Sequence, residues 1–296
     1  MAGNAPAVED DYTVPAKERR GLKKGLYLLP SAFTAANISM GFFAVMGALR
    51  GFQLLDDDAA RAVTHFNNAS VAIAWAILFD MLDGRIARLT KTTTEIGVQL
   101  DSIADVLTFG IAPAVLAYAW GYGATFEDGS PQHKFGWFVS FMFLICGAFR
   151  LARFNVQATR PRPLLEGTAK VDKKSFVGLP IPAAAGLIAA IIHFAPEPLV
   201  RSRYGDMAAL YSGLLMGLVA ALSALMVSTI RYSSFKAVGV GKRTTRVAIL
   251  LVAAVGMLLW LFSGPVLLVL AAAYVLHGLV SRLASLFRRR PAQAQQ

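Results

Sequence analysis

The chain has 296 residues, of which 56% are hydrophobic and 16% charged, with a mean hydropathy of +0.53. Soluble domains are roughly 45–50% apolar and about a quarter charged, so this composition excludes an ordinary soluble domain and a disordered chain, and the lone Cys146 excludes a disulfide scaffold. A net charge of +11 points to nucleic acid in a soluble protein, whereas in a membrane protein it reports topology.

In chain order, the first 16 residues are polar and acidic, lack the basic-then-apolar order of a cleaved leader, and are expected to form a disordered tail. Lys17 to Tyr27 is basic with Leu22, Leu26 and Tyr27 interspersed, which suits the anionic inner leaflet. Crossing the hydrocarbon takes about 20 apolar residues. Uncharged runs of that order occupy 25–49, 62–79, 106–126, 175–196 and 207–230, and a shorter one at 135–149 continues past Arg150 and Arg153. The uncharged run 247–281 is too long for one crossing, and Ser263-Gly264-Pro265 breaks it, which predicts a peripheral hairpin of two short spans. The expected fold is all-α, a polytopic bundle of eight transmembrane helices with both termini on one side. Of 29 Lys and Arg, 24 fall on the side of the termini and 5 on the other, which orients the termini to the cytoplasm. With the charge explained in this way, no nucleic-acid partner is expected. The expected organisation is a tail at 1–29, a catalytic transmembrane core at 30–236, and a C-terminal hairpin with basic tail at 237–296.

Four carboxylates stand where a membrane protein has few. Asp80 and Asp83 lie three apart at the end of the second span, and Asp101 and Asp105 lie four apart at the start of the third. Those spacings put each pair on one helix face. The short connection makes the helices antiparallel neighbours, so the pairs face each other. Four converging carboxylates repel unless cations sit among them, and hard divalent ions with oxygen ligands, Mg²⁺ above all, meet that need. Two such ions clamp a phosphoryl group. Gly84 and Ala87 keep the nearby surface low, Arg88 offers a planar fork for phosphate oxygens, and Gly97 permits close packing or a turn. Intramembrane acids also mark cation or proton transporters. Transporters set them near the midplane at a repeat interface, whereas these lie at the cytoplasmic end of a chain without a visible repeat.

The pattern Asp80-x2-Asp83-Gly84-x2-Ala87-Arg88-x8-Gly97-x3-Asp101-x3-Asp105 resembles, at every fixed position, the signature of the CDP-alcohol phosphotransferases. The resemblance implies transfer of a phosphatidyl group from a CDP-linked lipid to an alcohol with release of CMP. It implies that Asp80, Asp83 and Asp101 hold divalent metal (two ions, Mg²⁺ or Mn²⁺), and that Asp105 lies at the metals and acts as general base. It also implies that Gly84, Arg88 and Thr94 line the CDP site and that the protein is a homodimer. Pro30, Thr34 and Asn37 resemble the family's N-terminal nucleotide-contacting segment, with Ser31 where an Asn is common.

Three further blocks, 147–155, 176–186 and 226–236, resemble the serine-using integral-membrane members of that family. Free L-serine needs a cationic fork for its carboxylate. Arg150, Arg153, Arg231 and Lys236 are candidate donors, with Asn155 and Tyr232 as polar neighbours. Charges such as Arg150 and Arg153 inside the interface usually serve an anion. Glycerol 3-phosphate is met by the same cations, inositol is left open by the motif, and choline wants an aromatic cage. The resemblance selects L-serine as acceptor, with CDP-diacylglycerol as donor drawn from the surrounding membrane lipid. Gly239-Val-Gly241-Lys242-Arg243 lacks the Ser or Thr of a phosphate loop, and the four His show no metal spacing.

Overall fold

The computed structural model describes residues 20–90, 95–159, 175–233 and 253–288. The expected features of the first 16 residues, Thr94, Lys236 and the last residues of the basic tail lie outside them.

Two long helices, α1 (Arg20–Gln53) and α2 (Ala59–Thr90), form an antiparallel pair. Asp58 accepts the Arg61 backbone N–H at 3.1 Å and so caps the start of α2. Their contact is made of small side chains: Ala44, Ala48, Ala62 and Ala69 are buried, and a Cβ on Gly47 would lie 3.3 Å from that of Ala69. In lipid, where apolar burial between helices gains little, such close backbone approach is what holds helices together. Pro30 lies inside α1 rather than opening it, because the helix already begins at Arg20 in the basic stretch.

The third span, Ile96–Tyr122, is composite. Helix α3 (Glu95–Asp105) passes through a π-helical stretch, Val106–Ile111, into α4 (Ala112–Ala117) and a second π-helical stretch, Tyr118–Tyr122. It starts ten residues earlier than the uncharged run suggested, because Asp101 and Asp105 lie within the helix body. A π turn holds an extra residue and rotates the next part of the helix by about 100°. The rotation turns Thr108 onto α1, where its hydroxyl donates to the Asn37 carbonyl at 3.2 Å. Gly41 faces it, and the Thr108 Cα is 2.9 Å from where a Gly41 Cβ would stand. Gly41→Val is therefore expected to destabilise the bundle by about 1–3 kcal/mol, read as a lowered Tm in detergent. An unchanged Tm refutes this contact.

Helices α5 (Pro131–Thr159) and α8 (Met207–Val227) pack together on the far side of the composite span. Between them in the sequence come α6 (Ile181–Phe194) and the short α7 (Arg201–Tyr204). The run 175–196 is not one helix. Ser175–Val177 (β1) pairs antiparallel with Arg231–Ser233 (β2), Ser175 opposite Ser233. Gly178 then takes φ +85, and Pro180 is the extended N-cap of α6. Two prolines and a left-handed glycine stop the helix from starting earlier.

A helix at residues 253–261 (α9) precedes α10 (Ser263–Arg288), and the break between them falls at Phe262. The second limb is not short: Ser263–Arg282 is long and apolar enough to cross by itself. This helix, α10, packs along α6 with 11% of its span buried. Each of the eight expected segments has a helical counterpart, and among the described residues five, in α1, the composite span, α5, α8 and α10, have the length and hydropathy of a membrane crossing. The bundle is an all-α membrane fold apart from the small strand pair.

Candidate active site

The DG-containing end of α2 and the start of the third span bring the carboxylates together. Ligand oxygens of Asp80, Asp101 and Asp105 all lie within 4.8 Å of one another. Asp83 is buried beside them and accepts the Thr34 hydroxyl across from α1. Its charge acts on both Asp101 and Asp105. The four acids thus form one electrostatic unit, as their spacings of three and four on facing helices require.

At an effective dielectric of 20, two carboxylates 4.8 Å apart repel by about 3 kcal/mol. Arg150, buried on α5, lies in electrostatic reach of Asp105 and offsets part of this. A second compensating charge is needed. Oxygen-only donors at this spacing, with Asp105 Oδ1 buried and without a hydrogen-bond partner among the described residues, fit a hard divalent cation.

Around the cluster, Asn37 lies one turn beyond Thr34, buried, and neither of its side-chain polar atoms has a partner among the described residues. Gly84 is half-buried next to Asp83, and Gly97 is exposed in the first turn of α3. Ala87 and Arg88 fall in the last turns of α2, and Pro30 in α1.

The proposed acceptor residues divide. Arg150 is buried, and its Nε has no hydrogen-bond partner among the described residues. Asn155 donates to the Ser102 hydroxyl at 2.8 Å, which ties α5 to α3 one residue after Asp101. Arg153 Nη1 donates to the Val227 carbonyl at 3.4 Å and caps the end of α8. Tyr232 is fully buried: its hydroxyl donates to the Val275 carbonyl at 3.5 Å and its ring stacks on Tyr274 with centroids 5.9 Å apart. Arg231 belongs to β2.

Two residues missed by sequence reading stand close by. Ser102 was legible, since it lies between two motif aspartates on the same short helix. Tyr274 was not: it comes from α10, far along the chain, and reaches Arg150 electrostatically. Below the cluster, an apolar cavity of about 500 Å³ runs between α2, α6 and α10. Met81, between Asp80 and Asp83, lines it together with Pro180 and Tyr274.

The profile of the CDP-alcohol phosphatidyltransferase family matches residues 27–225, which hold α1 through most of α8 and all four aspartates. The chain is 36% identical over 213 residues, 72% of its length, to a protein of Helicobacter pylori strain J99 named CDP-diacylglycerol–serine O-phosphatidyltransferase, of which it covers 75%. Proteins of the same name are 35% identical in Saccharomyces cerevisiae, over 56% of this chain and 54% of the relative, and 34% identical in Methanocaldococcus jannaschii, over 57% and 65%. Carboxylate geometry, motif and matched length agree, and the chain belongs to the CDP-alcohol phosphatidyltransferase family.

Proposed function

We propose that this protein transfers the phosphatidyl group of CDP-diacylglycerol to the hydroxyl of L-serine, giving phosphatidylserine and CMP. The observation that carries the reading is the convergence of Asp80, Asp101 and Asp105 within 4.8 Å, with Asp83 against them. The names of the relatives select serine.

Asp80, Asp83, Asp101 and Asp105 would hold two divalent ions, Mg²⁺ or Mn²⁺, which would supply positive charge against the pyrophosphate and Lewis acidity at the phosphorus that carries the lipid. Thr34 fixes the Asp83 carboxylate through its hydroxyl. Gly84, Ala87, Arg88, Thr94 and Gly97, with Pro30, Thr34 and Asn37, bind the CDP moiety. Arg150 orients the serine carboxylate. Asp105 accepts the serine hydroxyl proton at its unpartnered Oδ1 as that oxygen attacks phosphorus and CMP departs. Direct displacement inverts configuration at phosphorus. The groove between α2, α6 and α10 takes acyl chain from the bilayer. The termini and the site face the cytoplasm of a bacterial inner membrane, residues 30–236 form the catalytic core, and the protein works as a homodimer.

The test offers purified protein CDP-diacylglycerol, Mg²⁺ or Mn²⁺, and serine, glycerol 3-phosphate, inositol or choline separately, then identifies the lipid made. Phosphatidylserine is the expected product, and dependence on another alcohol overturns the acceptor. Arg150→Ala is expected to raise KM for serine by tenfold or more, since a charged hydrogen bond to a carboxylate is worth about 1.5–3 kcal/mol. KM for CDP-diacylglycerol changes less. Equal effects on both substrates remove Arg150 from the acceptor site.

A further inference from the structure

The apolar groove reaches Met81, next to Asp80 on α2, at one end and has a polar group across the other. His193, in the last turn of α6, lines the groove. Its Nδ1–H donates to Asn67 Oδ1 of α2 at 2.7 Å, and its Nε2 accepts the Ser263 hydroxyl of α10 at 2.8 Å. The imidazole therefore ties together the three helices that wall the groove. From Pro182 to His193 the wall is twelve residues of helix, eleven rises of about 1.5 Å or roughly 16.5 Å in all. Ala183, Gly186, Ala189 and Ala190 keep that length clear, and Leu267 and Leu270 face it from α10.

We infer that this groove measures one acyl chain of the lipid donor, and that the His193–Asn67–Ser263 cluster is its end stop. The inference rests on the phosphatidyl-transfer reading. The occupant follows from continuity: Met81 lines the groove between two of the acids that hold the phosphoryl end, so a diacylglycerol anchored there has a chain at the groove mouth. A chain entering from lipid gains little hydrophobic free energy, because the bilayer is already apolar. Length selection therefore comes from fit. A chain that ends before the imidazole packs against the alanines. A longer one meets a hydrogen-bonded polar group that cannot give way without unpairing two partners.

The test measures CMP release by the purified full-length protein with serine and CDP-diacylglycerols from dioctanoyl to distearoyl. The wild-type protein is expected to show a rise and then a fall in kcat/KM with chain length. His193→Ala removes the stop, and the ratio of long-chain to optimal-chain kcat/KM is expected to rise about tenfold, as for one or two methylenes in an apolar pocket. Ala190→Leu shortens the groove and moves the optimum to shorter chains. His193→Gln, able to donate and accept at the same place, keeps the wild-type profile and controls for loss of the helix tie. A wild-type profile flat in chain length, or variants that scale every length by one factor, overturns the inference while CMP release still supports phosphatidyl transfer. Absence of CMP release with every CDP-lipid instead overturns the transfer reading itself.

Discussion

Asp105→Asn is expected to lower kcat about a thousandfold, the middle of the range for loss of a positioned general base, with far less effect on affinity for the CDP-lipid. Asparagine keeps the shape and one oxygen of the carboxylate but cannot take the serine proton. The orphaned Oδ1 is the atom concerned: it is buried and makes no hydrogen bond among the described residues. Single-turnover CMP release and equilibrium binding of the CDP-lipid separate the two quantities. Weakened binding with turnover preserved removes Asp105 from the base role.

Asp80→Ala has the second large effect, and it acts with opposite signs on function and stability. The variant loses one of three converging ligands. Mn²⁺ affinity, followed by electron paramagnetic resonance, is expected to fall at least about a hundredfold, because even outer-shell partners of a metal are worth 10–100-fold. CMP release falls below detection at ordinary metal concentrations. In chelator, by contrast, the variant is relieved of a like-charge contact worth roughly 1–3 kcal/mol, and its Tm is expected to exceed that of the wild-type protein. Such a trade marks an acidic cluster kept for binding rather than for folding. A Tm that falls in chelator, with Mn²⁺ binding intact, refutes the metal role of Asp80.

The carboxylate cluster was legible because its geometry is local. Spacings of three and four fix a helix face, and a short link fixes the partner helix, so four positions in sequence dictate one place in space. Arg150 was legible for a related reason, as a charge one turn inside an apolar run. Tyr232 was not. Its identity gives no direction, and the pairing of β2 with β1 is what sets it against Tyr274 of α10. The late start of α6 follows from Gly178 and Pro180, whose positive φ and N-cap role show only when β1 and β2 pair. The π-helical stretch after Asp105 leaves no mark in the hydropathy of Val106–Ile111, since it is set by the fit of Thr108 to Gly41.

The third wall of the groove lies outside residues 27–225, the length matched by the family profile. Helix α10 contributes no aspartate, yet it faces the cavity that begins beside Met81. One wall of the groove thus stands apart from the residues that bear the phosphoryl chemistry. Phosphoryl chemistry constrains α2 and α3, where a change of one charge upsets the ion balance. Adjustment to the thickness or fluidity of the host bilayer can proceed in α10, where exchanging Leu267 or Leu270 reshapes a wall and leaves every carboxylate in place. A lineage that changes its fatty acids can retune this helix without rebuilding its catalyst.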